Sequence, residues 1–132
     1  MDISKFKRLA KHFLSKCEEL YGFSKFYECT PYLEFEKSIY SRYAEDENDW
    51  HKCEEDDTPQ AEFDCIENTI VLYYKNIQNE KQLAETIIHE YQHYLQSPSW
   101  MTRYYNMGYS YQDHPYEVAA SAAEKDVKKL LN

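Results

Sequence analysis

In the stretch His89-Glu90-Tyr91-Gln92-His93, two imidazoles stand four residues apart, with a carboxylate directly after the first. On a helix, residues four apart lie one turn above one another, so both rings can reach a single cation at ~2.0–2.1 Å. Glu90 is turned ~100° from His89 about the axis. It is too far round to ligate easily, but it can lean over an open coordination position, hold a water and move a proton. The bland alternative is a pair of surface histidines on a polar helix face. Downstream, Glu117 follows His114-Pro115-Tyr116 and stands in the first turn of a further helical pattern, where Ala120 and Ala123 would allow close packing on the histidine helix. A carboxylate there can supply a third ligand. A glutamate near a helix N-terminus is also common because it complements the dipole and caps free N–H groups.

The helix that must hold the histidines opens at Asn79, a cap residue with Gln82 three positions on, and should run to about Gln96, because Ser97-Pro98 cannot continue it. Projected at ~100° per residue, Leu83, Ala84, Ile87, Ile88, Tyr91, Tyr94 and Leu95 share one arc, and His89 and His93 fall opposite with Gln82, Thr86 and Gln96. The histidines therefore face a cleft or solvent rather than the main core. A tyrosine-rich connection from Pro98 to His114 leads to the last helix, from Pro115, marked by Val118, Ala119, Ala122, Ala123, Val127, Leu130 and Leu131.

His89-Glu90-x-x-His93 followed by a glutamate on a downstream helix resembles the gluzincin zinc metallopeptidases. The order of N-terminal helix, small sheet, motif helix and C-terminal helix is similar to the minimal gluzincins and to the ImmA/IrrE-type and phage-encoded metallopeptidases. At motif level the likeness runs from about Ile66 to Val127. It implies an α+β, zincin-like fold with a mostly antiparallel sheet. It also implies Zn²⁺ held by His89, His93 and Glu117, with Glu90 as general base for peptide-bond hydrolysis. Two departures stand out: larger gluzincins carry an Asp near the position of Ser121 that orients a histidine, and no separate downstream catalytic histidine is evident. An oxyanion donor must then come from elsewhere, and the Trp100–Tyr116 segment offers Tyr111 or Tyr109, with His114 as a rival whose simpler role is to cap the last helix. A tyrosine stripe of this kind is otherwise packing. The runner-up function is a catalytically inactive zincin-like binding or regulatory module; a metal-free helical scaffold is the third.

The rest of the chain bounds these readings. At 132 residues it is one domain, residues 1–132. Its 42% hydrophobic and 17% aromatic content with only two Gly rules out wholesale disorder. The net charge of −9 disfavours nucleic acid and anionic membranes as partners; a peptide or protein substrate is what the resemblance implies. Residues 44–57 hold eight carboxylates and one lysine, so −7 of that −9 sits in one stretch. That stretch lacks the glycine and terminal Glu of a calcium loop and reads as a solvated acidic loop. With no long apolar run, no export signal and no C-x-x-C pair, a cytoplasmic address with reduced Cys17, Cys29, Cys53 and Cys65 is expected.

Ile3 to Tyr21 repeats apolar residues three or four apart and predicts a first helix, with Lys5, Lys7, Arg8, Lys11 and Lys16 outward. Residues 23–43 suggest one or two strands, including Tyr32–Glu36 and the region of Ile39-Tyr40. Ala61–Ile66 and Thr69–Tyr74, separated by Glu67-Asn68, suggest a hairpin. Thr69–Tyr74 is either an exposed sheet edge to which a peptide could add or an ordinary core strand. Tyr73 and Trp100 are the apolar residues expected beside the site.

Overall fold

Asp2 opens the first helix, α1 (Ile3–Tyr21), its carboxylate accepting from the Lys5 N–H at 2.9 Å. Phe6, Ala10, Phe13, Leu14 and Cys17 recur at helical spacing and form its buried stripe. Gly22 ends it at φ +77°, a backbone conformation open to glycine at little cost. The structure, a computed structural model, describes residues 1–43 and 57–131. The acidic stretch 44–57 thus lies outside the described residues apart from Asp57, as does Cys53. Cys17, Cys29 and Cys65 carry free thiols.

Three strands, β1 (Tyr32–Glu36), β2 (Ala61–Asp64) and β3 (Thr69–Tyr73), form a mixed sheet in the order β1-β3-β2. The expected hairpin is present: β2 and β3 are antiparallel, with Ala61 opposite Leu72 and Asp64 opposite Thr69. Its turn is longer than two residues. Pairing stops at Asp64, whose Oδ1 accepts from the N–H groups of Ile66 and Glu67 at 3.0 and 3.1 Å. Asn68 then takes φ +49°, which asparagine tolerates. Ile66, assigned to the strand by residue type alone, is 89% exposed in that turn.

β1 runs parallel to β3, from Tyr32 opposite Thr69 to Glu36 opposite Tyr73. Flanked on both sides and buried along its whole length, β3 is an interior strand and not a sheet edge. Its uninterrupted Ile70-Val71-Leu72 run is what coverage of both faces demands.

The region of Ile39-Tyr40 is helical instead of extended. Ser38 accepts from the Ser41 N–H through its hydroxyl at 3.3 Å and starts α2 (Ile39–Tyr43). Arg42 on α2 reaches Glu34 of β1, Glu62 of β2 at 3.2 Å and Asp64 of β2 at 2.9 Å. One guanidinium thereby ties a helix to both outer strands.

After β3 come α3 (Glu80–Leu95), α4 (Pro98–Asn106), α5 (Pro115–Ala123) and α6 (Val127–Leu131). Asn79 caps α3 by accepting from the Gln82 N–H at 2.9 Å. Leu83, Ala84, Ile87, Ile88, Tyr91 and Tyr94 bury the predicted arc of α3 in the core with α1, Ile70 and Leu72. α3 also packs on α5, α6 and β2. The fold is α+β.

Two features of the C-terminal half differ from expectation. The connection from Pro98 contains a helix, because Ser97 both ends α3's run and caps α4, with Pro98 at its first position. The last helix is broken by a 3₁₀ turn over Glu124–Asp126, and Ala120, Val127 and Leu130 face inward while Val118 is exposed. No helix among the described residues is long and apolar enough to cross a membrane.

Candidate metal centre

His89 and His93 project from α3 toward α5, and Glu117, in the first turn of α5, lies between them. Its Oε2 is 3.1 Å from His89 Nε2 and its Oε1 is 2.9 Å from His93 Nε2. Pro115 starts α5 and the His114 ring caps it, Nδ1 accepting from the Tyr116 N–H at 3.1 Å. That cap fixes the phase of the helix and turns the third residue, Glu117, inward. Ala120, fully buried one turn on, presents only a methyl group and lets α5 come close to α3.

Each histidine is held from behind. His89 Nδ1 donates to Glu124 Oε2 at 3.0 Å. His93 Nδ1 donates to Gln96 Oε1 at 2.8 Å, and Gln96 Nε2 in turn donates to the Tyr116 carbonyl at 3.1 Å. With both Nδ1 protons committed, both Nε2 atoms point at Glu117. Such outer partners fix ring orientation and tautomer.

The electrostatics follow from those contacts. Burial pulls the His89 imidazole down, but the hydrogen bonds to Glu117 and Glu124 and the Glu90 charge outweigh it and raise its pKa to about 9. His93 is raised for similar reasons, against burial, by Glu117 and Glu90. Burial pushes Glu117 up, yet the hydrogen bonds and charges of the two imidazoles hold it well below the ordinary carboxylate range. Glu90, buried beside them, is lifted by desolvation to about 7 against the pull of His93 and His89.

The donor set suits a divalent ion. Two imidazole nitrogens and one carboxylate oxygen all lie within 4.8 Å of one another. Ligands at ~2.0–2.1 Å about a tetrahedral zinc stand roughly 3.3 Å apart, close to the 2.9 and 3.1 Å separations of the Glu117 oxygens from the two rings. Three protein donors leave a fourth position open, as in catalytic sites.

Beside the triad a cavity of about 490 Å³ is lined by Glu90, His93 and Glu117 and by the Tyr111 ring. Burial, then the Glu117 and Glu90 charges, hold the Tyr111 phenol up at about 12, so it keeps its proton at neutral pH. Tyr109 instead packs edge-on against Tyr104 at 5.7 Å and is not among the cavity's lining residues. His114 is fully buried, with Nε2 donating to the Met101 carbonyl at 2.9 Å; it is a structural cap, away from the triad. Tyr73 is buried with its hydroxyl on Glu62 at 2.9 Å, and Trp100 packs on Tyr104. Neither forms the apolar wall; Tyr27, Phe63, Met101 and Tyr105 do.

Glu124 and Gln96 were the residues the sequence reading missed. Both carried a helical signal: Gln96 is three beyond His93, and Glu124 is seven beyond Glu117, two turns along the same face. The exposed Ser121, expected near the orienting position, takes no part in the hydrogen bonds around the triad. Comparisons of the chain with protein-family models, curated proteins and solved structures find no match.

Proposed function

We propose that this chain is a small zinc-dependent peptidase of the gluzincin kind, with His89, His93 and Glu117 as ligands and Glu90 as general base. One observation carries the reading: the Glu117 carboxylate, from a separate helix, meets both Nε2 atoms at 2.9 and 3.1 Å. Two surface histidines would have no reason to share a partner in this way, and a glutamate serving only the α5 dipole would not turn inward.

Zinc in such a site supplies a Lewis acid that polarises a carbonyl and lowers the pKa of its bound water toward ~7. The chain's own residues do the rest. Glu90 faces the cavity from the position after His89 and takes the proton of the attacking water. It then returns that proton to the leaving amine nitrogen. The Tyr111 phenol donates its O–H to the carbonyl oxygen as negative charge develops there. Glu124 and Gln96 keep the imidazoles in register. β2, an edge strand among the described residues, offers backbone groups on which an extended peptide can lie. The peptide-adding edge is therefore β2 and not the interior β3.

The working compartment we propose is the cytoplasm, where the free thiols of Cys17, Cys29 and Cys65 are at home. The net charge of −9 favours a peptide over nucleic acid or an anionic membrane as partner. The test is paired. Purified protein should bind one zinc per chain and cleave peptides from a broad library, and Glu90→Gln should keep the zinc and lose cleavage. Zinc bound without turnover in the native chain would select the inactive binding module, and no zinc at all would select a metal-free scaffold.

A further inference from the structure

The apolar wall of the cavity beside the triad comes from three separate parts of the chain. Tyr27 precedes β1, Phe63 lies on β2, and Met101 and Tyr105 belong to α4. The Tyr27 ring stacks on Tyr94 at 5.6 Å and meets Phe63 edge-on at 5.7 Å, so this apolar wall is braced against the core.

Charge sorts what could enter. Among the described residues that line the cavity there is no lysine or arginine, whereas Glu90 and Glu117 are present. An anionic side chain would therefore lose its hydration and lie beside the Glu90 and Glu117 carboxylates with no lysine or arginine among the described lining residues to pair with. Two other carboxylates reach the lining, but both are engaged. Glu62 accepts from Arg42 at 3.2 Å and from the Tyr73 hydroxyl at 2.9 Å, and Asp57 accepts from the Tyr40 hydroxyl at 2.9 Å. A cationic side chain would have to displace partners to pair with them. An apolar side chain has no such conflict and gains burial against aromatic walls. A volume of about 490 Å³ is within the range of small-ligand sites and accommodates the largest natural side chains.

Position fixes which side chain this is. β2 residues Ala61 and Phe63 share the cavity with His93 and Glu117 of the triad. A peptide lying along β2 advances ~3.3 Å per residue and alternates its side chains, so with one carbonyl at the triad an adjoining side chain falls into the same space. Resting on the peptidase reading above, we propose that this cavity is the specificity subsite of the enzyme. It selects a bulky apolar or aromatic residue next to the scissile bond, with Met101, Tyr105 and Phe63 as the selecting walls.

The test uses zinc-loaded full-length protein and peptides that differ at one position next to the cleaved bond. kcat/KM should be about 10-fold or more higher for Phe or Leu than for Ala, because burial of several methylene equivalents separates them, and Asp should be the poorest. The zinc-loaded Glu90→Gln protein, which holds peptide without cutting it, should show the same order in Kd by fluorescence anisotropy. Met101→Glu should erase the Phe preference and improve Lys, while Met101→Ala, a milder change, should reduce Phe alone. Cleavage that is indifferent at this position, or that prefers Lys or Arg, overturns the subsite and leaves the peptidase standing. Failure of the zinc-loaded native chain to cleave any member overturns both.

Discussion

Glu117 sets the charge balance at the residue scale. In the metal-free chain Glu117 accepts from both Nε2–H groups, and with Glu90 beside both rings and Glu124 behind His89 it raises the two imidazoles. Entry of a metal ion must displace those protons. Glu117→Ala removes the shared acceptor and, on the proposed reading, a ligand as well, and the expected outcome is loss of stoichiometric zinc in metal analysis at neutral pH. Glu124 belongs to the same scale but acts through His89, so Glu124→Ala should weaken zinc ~10–100-fold in a chelator competition assay. Ser121→Ala should leave zinc affinity unchanged. Glu90→Gln should lower kcat by ~10²–10⁴-fold with zinc content intact, a split that misfolding would not produce.

Among the elements, α4 is the least anchored. It has no buried residue of its own, and it is tied to α5 by the edge-on contact of Tyr104 with Tyr116 at 5.5 Å and by His114, which donates to the Met101 carbonyl, accepts from the Tyr116 N–H and packs against the Tyr104 and Tyr105 rings. His114→Ala would orphan both backbone groups and open a cavity, at about 2–4 kcal/mol. The expected signature is faster amide hydrogen exchange over residues 98–109, with α3 protection retained. α4 was hidden in the sequence because Ser97-Pro98 serves equally to stop one helix and start the next, and its short i, i+4 pairs, Trp100 with Tyr104 and Met101 with Tyr105, lie in a tyrosine-rich run that favours strands.

By contrast α1 and α3 were legible because their buried residues repeat at 3–4 spacing, and the hairpin because its β-branched runs flank a polar break. The interior position of β3 was encoded in its fully apolar run, yet an apolar run alone does not distinguish an edge from a centre. The α2 helix was masked by Ile and Tyr, which favour strands, until Ser38 and Arg42 settled it locally. At the site, the pairing of His89 with His93 followed from spacing and the place of Glu117 from its position in the first turn of the last helix, whereas the partners behind them, Glu124 and Gln96, required knowing which faces of α3 and α5 meet. The apolar wall of the cavity joins Tyr27, Phe63 and the i, i+4 pair Met101 and Tyr105 of α4, and no local pattern relates those three parts.

For the whole molecule, the same charges link stability to pH. His89 is raised to about 9 from an ordinary 6.5, so its contribution is complete below about pH 6.5 and drains as pH rises through 9. Glu90, raised to about 7 from 4.5, likewise favours the folded state at the acid end of its range and loses that contribution as pH climbs through 7. Glu117 is depressed, so its contribution is present above about pH 4.5 and is lost on further acidification. Metal-free protein should thus have its highest Tm near about pH 5 and decline toward pH 9. Zinc reverses the slope, since its ligands must be deprotonated: the Tm increment on adding saturating zinc should grow between pH 5.5 and 8.5. Equal increments across that range would mean that zinc binds away from the imidazoles.

Anomalous diffraction at the zinc edge, from crystals grown with stoichiometric zinc, tests most directly whether two helices share one ion. The expected map has a single dominant peak within ~2.0–2.2 Å of His89 Nε2, His93 Nε2 and a Glu117 oxygen. A peak elsewhere, or none at this triad, would contradict the metal centre and with it the peptidase.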